Sequence, residues 1–125
     1  MRTIHIVNQS RPLRATLRVV FCSSYLCRLR GLTFRRRLPE EEGLLLVFGR
    51  QSRLDTAIHM LFVFFSLGIV WLNDAHRVVD ARLARPWVSF LASRQPARFV
   101  LEIHPDRLQE FSIGDEVRFE EMAVG

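Results

Sequence analysis

The chain is predicted to be mainly β, a compact distorted β-sandwich or partly open barrel with one or two short helices. Short apolar runs rich in β-branched and aromatic residues recur along it, the types that suit a pleated, half-buried surface. Clusters such as "NQSRP", "GRQSR" and "NDAH" punctuate those runs with turn chemistry. The composition, 49% hydrophobic and 25% charged over 125 residues, is that of a single globular domain with a core of its own. Many short strands with few helical patterns describe a sandwich or barrel better than a layered α/β fold.

In order along the chain, residues 3–7 ("TIHIV") and 14–21 ("RATLRVVF") read as strands joined by the "NQSRP" turn. Ser23 or Ser24 can cap a short helix through "YLCRLRGLTFRR", which Gly31 weakens and Pro39 closes. "GLLLVF" is then a buried strand, with "GRQSR" as its turn. After "NDAH", "RVVDARLA" is a further strand, and residues 98–104 ("RFVLEIH") another. Pro105 suits the first turn of a short helix "PDRLQEF". Gly114 and Asp115 make a turn before a last strand, "EVRF".

The stretch "AIHMLFVFFSLGIVWLN" (residues 57–73) poses the compartment question. From Ala57 to Leu72 it has 16 residues, with His59, Ser66 and Gly68 among them. A membrane-crossing helix needs about 20 mostly apolar residues, and an imidazole in lipid would need a partner. Two buried strands are therefore expected, with Ser66, Leu67 and Gly68 as their turn, and no transmembrane span. The N-terminus has no apolar run of signal-peptide length. Cys22 and Cys27 form neither a disulfide framework nor a zinc set, so a cytoplasmic protein with reduced thiols is the expectation.

Charge is unevenly spread. Every one of the 18 basic residues is arginine, and the formal net charge is +5. Residues 1–38 carry no acid, whereas residues 101–125 carry seven acids against Arg107 and Arg118. Such asymmetry suits a nucleic-acid or anionic-membrane partner, or two ends that pair in the fold. Pairing or simple solvation is favoured, because Arg2, Arg14 and Arg18 alternate with apolar residues as on the outer face of strands. Phe34, Trp87 and Phe90 are not interleaved with arginines on one strand face, and RNA-binding signatures are absent, which counts against nucleic acid.

Three blocks, "RLRGLTFRRRLPEEEGLLLVF" (28–48), "IHMLFVFFSLGIVWLN" (58–73) and "PARFVLEIHPDRLQEFSIGDEVRF" (96–119), resemble in order and spacing the prokaryotic family known as domain of unknown function 192. The resemblance covers about residues 13–120 of a single domain spanning 1–125. It implies a small, mainly β fold and no known activity. It also implies an acid at position 68, where this chain has Gly68, an Asp at 73, where it has Asn73, and a methionine at 33, where it has Thr33. The missing acid marks either a lost role or a turn that Gly68 makes instead.

No Gly-rich phosphate loop, nucleophile elbow or metal-ligand spacing occurs, so no cofactor and no metal are expected. Glu40, Glu41 and Glu42 read as a solvated run that neutralises Arg35, Arg36 and Arg37. Cys22 reads as a small buried thiol. Arg98 and Glu102, four apart on a strand, face the same side. The functional expectation is a non-catalytic binding or accessory module for a small anionic or peptide-like ligand, or for a protein partner. Its groove would be lined by Arg30, Phe34, Arg35, His59, Arg98 and Glu102, the arginines orienting a carboxylate or phosphate. The alternatives are a hydrolase with His59 as base and a basic surface that binds nucleic acid or membrane.

Overall fold

A computed structural model of the chain describes residues 2–24, 27–28, 31–32, 36–88 and 90–121. Among them are seven strands: β1 (Thr3–Asn8), β2 (Arg18–Cys22), β3 (Glu42–Ser52), β4 (Leu67–Leu72), β5 (Val78–Ala84), β6 (Ala97–Ile103) and β7 (Val117–Glu121). A 3-10 helix, Pro105–Glu110, joins the last two. The strands make one sheet in the order β5-β4-β6-β3-β2-β1-β7. Neighbours run antiparallel except β2 and β3. That parallel pair is joined by the long 23–41 segment, the kind of crossover a parallel step requires.

The sheet rolls until its two edges meet. Arg77 and Glu116 form a bridge just before β5 and β7, Val78 N donates to Asp115 O at 2.9 Å, and Gly114 N donates to Val78 O at 2.8 Å. This is the partly open barrel expected from the strand pattern. Alternation along the strands then makes two apolar clusters. All seven strands contribute to the inner one, through residues such as Ile4, Val19, Leu45, Val70, Val78, Leu101 and Val117. The outer one is built from Leu44, Leu46, Ile69, Trp71 and Val100 and is covered by chain that carries Leu32, Ile58, Met60 and Val63. One-residue steps along β3 and β6 thus send neighbouring side chains to opposite faces.

Stretch 57–73 contains one strand, not two. Residues 57–66 cross the outer face as a loop, tied by the Ile58 to Leu91 bridge and by Met60 N to Val88 O at 2.6 Å. Ile58, Met60 and Val63 are buried beneath it, whereas Leu61, Phe62 and Phe64 are exposed. Phe62 has a φ of 62°, which a β ladder does not admit. Gly68 is a buried residue inside β4 and makes no turn. A Cβ there would lie 3.1 Å from Leu108 Cβ and 3.2 Å from Ile103 Cγ1, so the glycine lets the 3-10 helix seat against β4.

Other expectations shift in smaller ways. The second strand begins at Arg18 instead of residue 14, and "GRQSR" continues β3 in place of a turn. Cys22 and Cys27 are disulfide-bonded instead of reduced. Ser24 Oγ accepts from Cys27 N at 3.2 Å and Ser24 O from Arg28 N at 3.0 Å, a helical turn that returns Cys27 over the end of β2 with a Cα separation of 5.6 Å. The cap on Ser24 is the one expected; residues 25–26, 29–30 and 33–35 of that helix lie outside the described residues. The "NDAH" turn forms, with Asn73 Oδ1 accepting from Ala75 N and Arg77 N, both at 3.0 Å. Glu40 binds Arg14 at 2.8 Å instead of the arginines at 36 and 37, and the two ends pair through Arg2–Glu121 at 3.2 Å, Arg11–Asp115 at 3.1 Å and Arg14–Glu110 at 3.4 Å.

No helix among the described residues is long and apolar enough to cross a membrane.

Candidate ligand cavity

Between the outer face of the sheet and the chain that covers it lies a cavity of about 500 Å³. β3 supplies Leu46, Phe48, Gly49 and Arg50, β4 supplies Leu67, and β6 supplies Glu102. The covering loops add Arg28, Gly31 and Leu32 on one side and Asp55, Ala57, Ile58, His59, Met60 and Val63 on the other. The walls are mainly apolar, which is the usual character of a small-molecule site.

Glu102 is the unusual member. It sits on β6 opposite Leu44 of β3 and Ile69 of β4, so both flanking positions on its face are apolar. Only 6% of it is exposed. No hydrogen bond or ion pair reaches its carboxyl group among the described residues. Burial pushes that carboxyl up to about 7, because desolvation penalises the charged form and nothing nearby compensates. Gly31 lies beside it: with a φ of 51°, a position that favours glycine, its Cβ would stand 3.8 Å from Glu102 Oε1.

Arg28 lines the same cavity, with one N–H group and its ring face already engaged. Nη1 donates to Ser23 O at 2.6 Å and Val47 O at 3.0 Å, and the guanidinium lies 5.0 Å over the Phe48 ring. Arg50 and Asp55 pair with each other at 3.0 Å. The disulfide anchors the stretch that leads into Arg28 and Gly31 to the end of β2.

Of the six groove residues expected from sequence, His59 and Glu102 line the cavity. His59 is exposed on the covering loop, not at the entry of a buried strand. Arg98 shares the face of Glu102 but is turned away from the cavity: Nε donates to Phe48 O at 3.0 Å and Nη1 is 3.7 Å from Asp74. Arg30, Phe34 and Arg35 lie outside the described residues. Sequence reasoning missed Arg28, Met60 and Val63 as lining residues. Nothing in the uniformly apolar run 60–65 separates Met60 and Val63 from exposed Leu61, Phe62 and Phe64, so the strand assignment gave no hint of it.

Beside the cavity the covering loops carry an aromatic group. Trp87 packs edge-on against Phe62 at 5.1 Å and Phe64 at 5.7 Å, and all three are about half exposed. Trp87, like Phe62, has a positive φ, 67°, and its amide donates to Met60 O at 2.9 Å. The backbone of both loops is thus fixed by hydrogen bonds in a conformation that is costly for an aromatic residue.

The family described as "Uncharacterized ACR", domain of unknown function 192, matches residues 6–119. A UPF0127 protein of Thermococcus sibiricus is 27% identical over 117 residues, covering 92% of this chain and 74% of the relative. Two crystal structures share the fold. One is a Sinorhizobium meliloti protein that carries the description "putative transcription regulator", with a TM-score of 0.81 and 20% identity, covering 94% of this chain and 92% of the other. The other is a Novosphingobium aromaticivorans protein of unknown function, with a TM-score of 0.78 and 23% identity, covering 93% and 83%. At these identities the likeness speaks to fold alone.

Proposed function

We propose that this chain, which belongs to the domain of unknown function 192 family, is a non-catalytic binding module for a small, largely apolar ligand. The observation that carries the reading is Glu102, a buried acid facing an apolar cavity with no partner among the described residues. A buried polar group is normally hydrogen-bonded, and one that is not calls for an explanation. A ligand that completes its hydrogen bonding provides one. A few polar groups set in an apolar cleft are what orient a bound small molecule.

A catalytic role for His59 has less support. Its side chain is exposed and no carboxylate or nucleophile is hydrogen-bonded to it among the described residues, so the base lacks an orienting group. Arg30, Phe34 and Arg35 keep the place that sequence gave them, as groove residues still to be tested by substitution.

Filling the cavity tests the reading. Ala57 is half-buried on its wall. Ala57→Phe is expected to weaken binding of a fluorescent apolar probe such as 1-anilinonaphthalene at least tenfold while circular dichroism stays unchanged. Equal probe binding by the filled and the original protein would put the ligand elsewhere.

A further inference from the structure

Resting on the binding reading above, we infer that the cavity takes a ligand with a protonated amine, which pairs with Glu102, and an apolar body, which lies against Leu32, Leu46, Met60 and Val63. The argument begins with what surrounds the carboxyl group. From β3 and β4 its strand neighbours are Leu44 and Ile69. Among the described residues, the charged or titratable groups that line the cavity are Arg28, Asp55 and His59 from the covering loops and Arg50 from β3. Arg50 and Asp55 neutralise one another. Arg28 is held by two carbonyls and a ring and forms no ion pair with Glu102. His59 is exposed.

Three ligand chemistries then differ in what they gain. An anion would meet the acid as a like charge, or would bind only while the acid is protonated. A neutral hydroxyl or carbonyl would gain one hydrogen bond and leave the charge state alone. An ammonium group gains a charge-assisted hydrogen bond in a mainly apolar surrounding, where such bonds are strengthened, and supplies the counter-ion that burial otherwise denies the carboxylate. The site thus favours a cation over the anion expected from the arginine-rich sequence. The step balances as Glu102–COOH plus R–NH3+ giving the ion pair plus a proton released to solvent.

Three probes of one length and different heads separate the cases: hexylammonium, hexanol and hexanoate, titrated into the protein at pH 7.5 with methyl chemical shifts of Leu32, Leu46, Met60 and Val63 as the readout. Hexylammonium is expected to bind at least tenfold tighter than the other two, and Glu102→Gln to remove that advantage while hexanol binding is kept. Calorimetry on the unmodified protein at pH 6.5, in buffers of different ionisation enthalpy, is expected to show proton release on binding hexylammonium. Proton uptake, or hexanoate as the tightest probe, overturns the amine assignment and leaves the cavity reading standing. Methyl shifts from none of the three overturn both.

Discussion

Arg107 and Glu102 are two ionisable side chains that the fold buries, one in the 3-10 helix and one in β6, and they are treated in opposite ways. Arg107 is fully buried and spends its donors on Ala15 O at 2.7 Å, Glu40 O at 2.8 Å, Thr16 O at 3.4 Å and the Glu110 carboxylate. It ties the 3-10 helix to the loop between β1 and β2 and to the entry of β3. Glu102 is almost as buried and binds none of the described residues. A saturated buried charge is part of the framework, whereas an unsaturated one costs stability and persists where it serves something else. Arg107 thus belongs to the framework, whereas Glu102 is the group on which the proposed site rests.

The sharpest test of that contrast is Arg107→Ala. It is expected to cost about 3 kcal/mol in urea unfolding, because it removes a fully buried guanidinium, its ion pair with Glu110 and its hydrogen bonds to three carbonyls. A loss below about 1 kcal/mol would mean that the network is not structural and would collapse the comparison.

Glu102 gives the next largest effect, with the opposite sign. Its carboxyl is raised from an ordinary 4.5 to about 7 in the folded chain. The folded state thus holds a proton that the unfolded state has released between those values, and stability falls as pH rises through that window and is level above it. At about 1.4 kcal/mol per tenfold change, the fall is about 3 kcal/mol. Glu102→Gln is expected to flatten the curve between pH 5 and 8 and to be the more stable protein at pH 8. At the acid end Glu110 and Asp115 act the other way. Burial alone would raise both, but hydrogen bonds from Arg107 and the Arg14 amide, and from Asn8 and the Ser112 amide, hold them below their ordinary values. Their contribution is present above those ordinary values and is lost as pH falls through the lowered ones. Denaturation midpoints against pH for the two proteins check both limbs.

Replacing both cysteines by serine is expected to cost about 2 kcal/mol, from the entropy of a short closed loop. The loss concerns the wall that carries Arg28 and Gly31, so amide exchange there should quicken more than in β1 or β7. Uniform quickening would deny the wall its separate character. Smallest is Arg2→Ala, which removes an exposed pair with Glu121 and is expected to shift stability by less than about 0.5 kcal/mol. It calibrates how little an arginine contributes outside a buried network.

The legible part of the fold was its periodic part. Strands β1, β4, β5, β6 and β7, the Asn73 turn and the Pro105 helix follow from β-branched and aromatic runs and from turn residues that act over a few positions. The loop at 57–66 was illegible because a run of β-branched and aromatic residues reads as a strand, and the positive φ of Phe62 and the ties to Val88 and Leu91 appear only in the fold. Gly68 read as turn chemistry, yet its reason is the approach of Leu108, forty residues away in sequence. For the site, Glu102 was named from its face on a strand. That it is unpaired, and that Arg98 on the same face bonds to Phe48 O instead of the cavity, depend on contacts between distant segments.

By itself the sequence determined a single, mainly β domain of this family, because local propensity and the period of two fix which residues face which side of a strand. It could not determine how far the sheet rolls, which ends pair, or which buried charge is satisfied. Those depend on what each side chain meets after the chain returns from far away: Arg107 meets carbonyls from two distant segments, and Glu102 meets an apolar cavity.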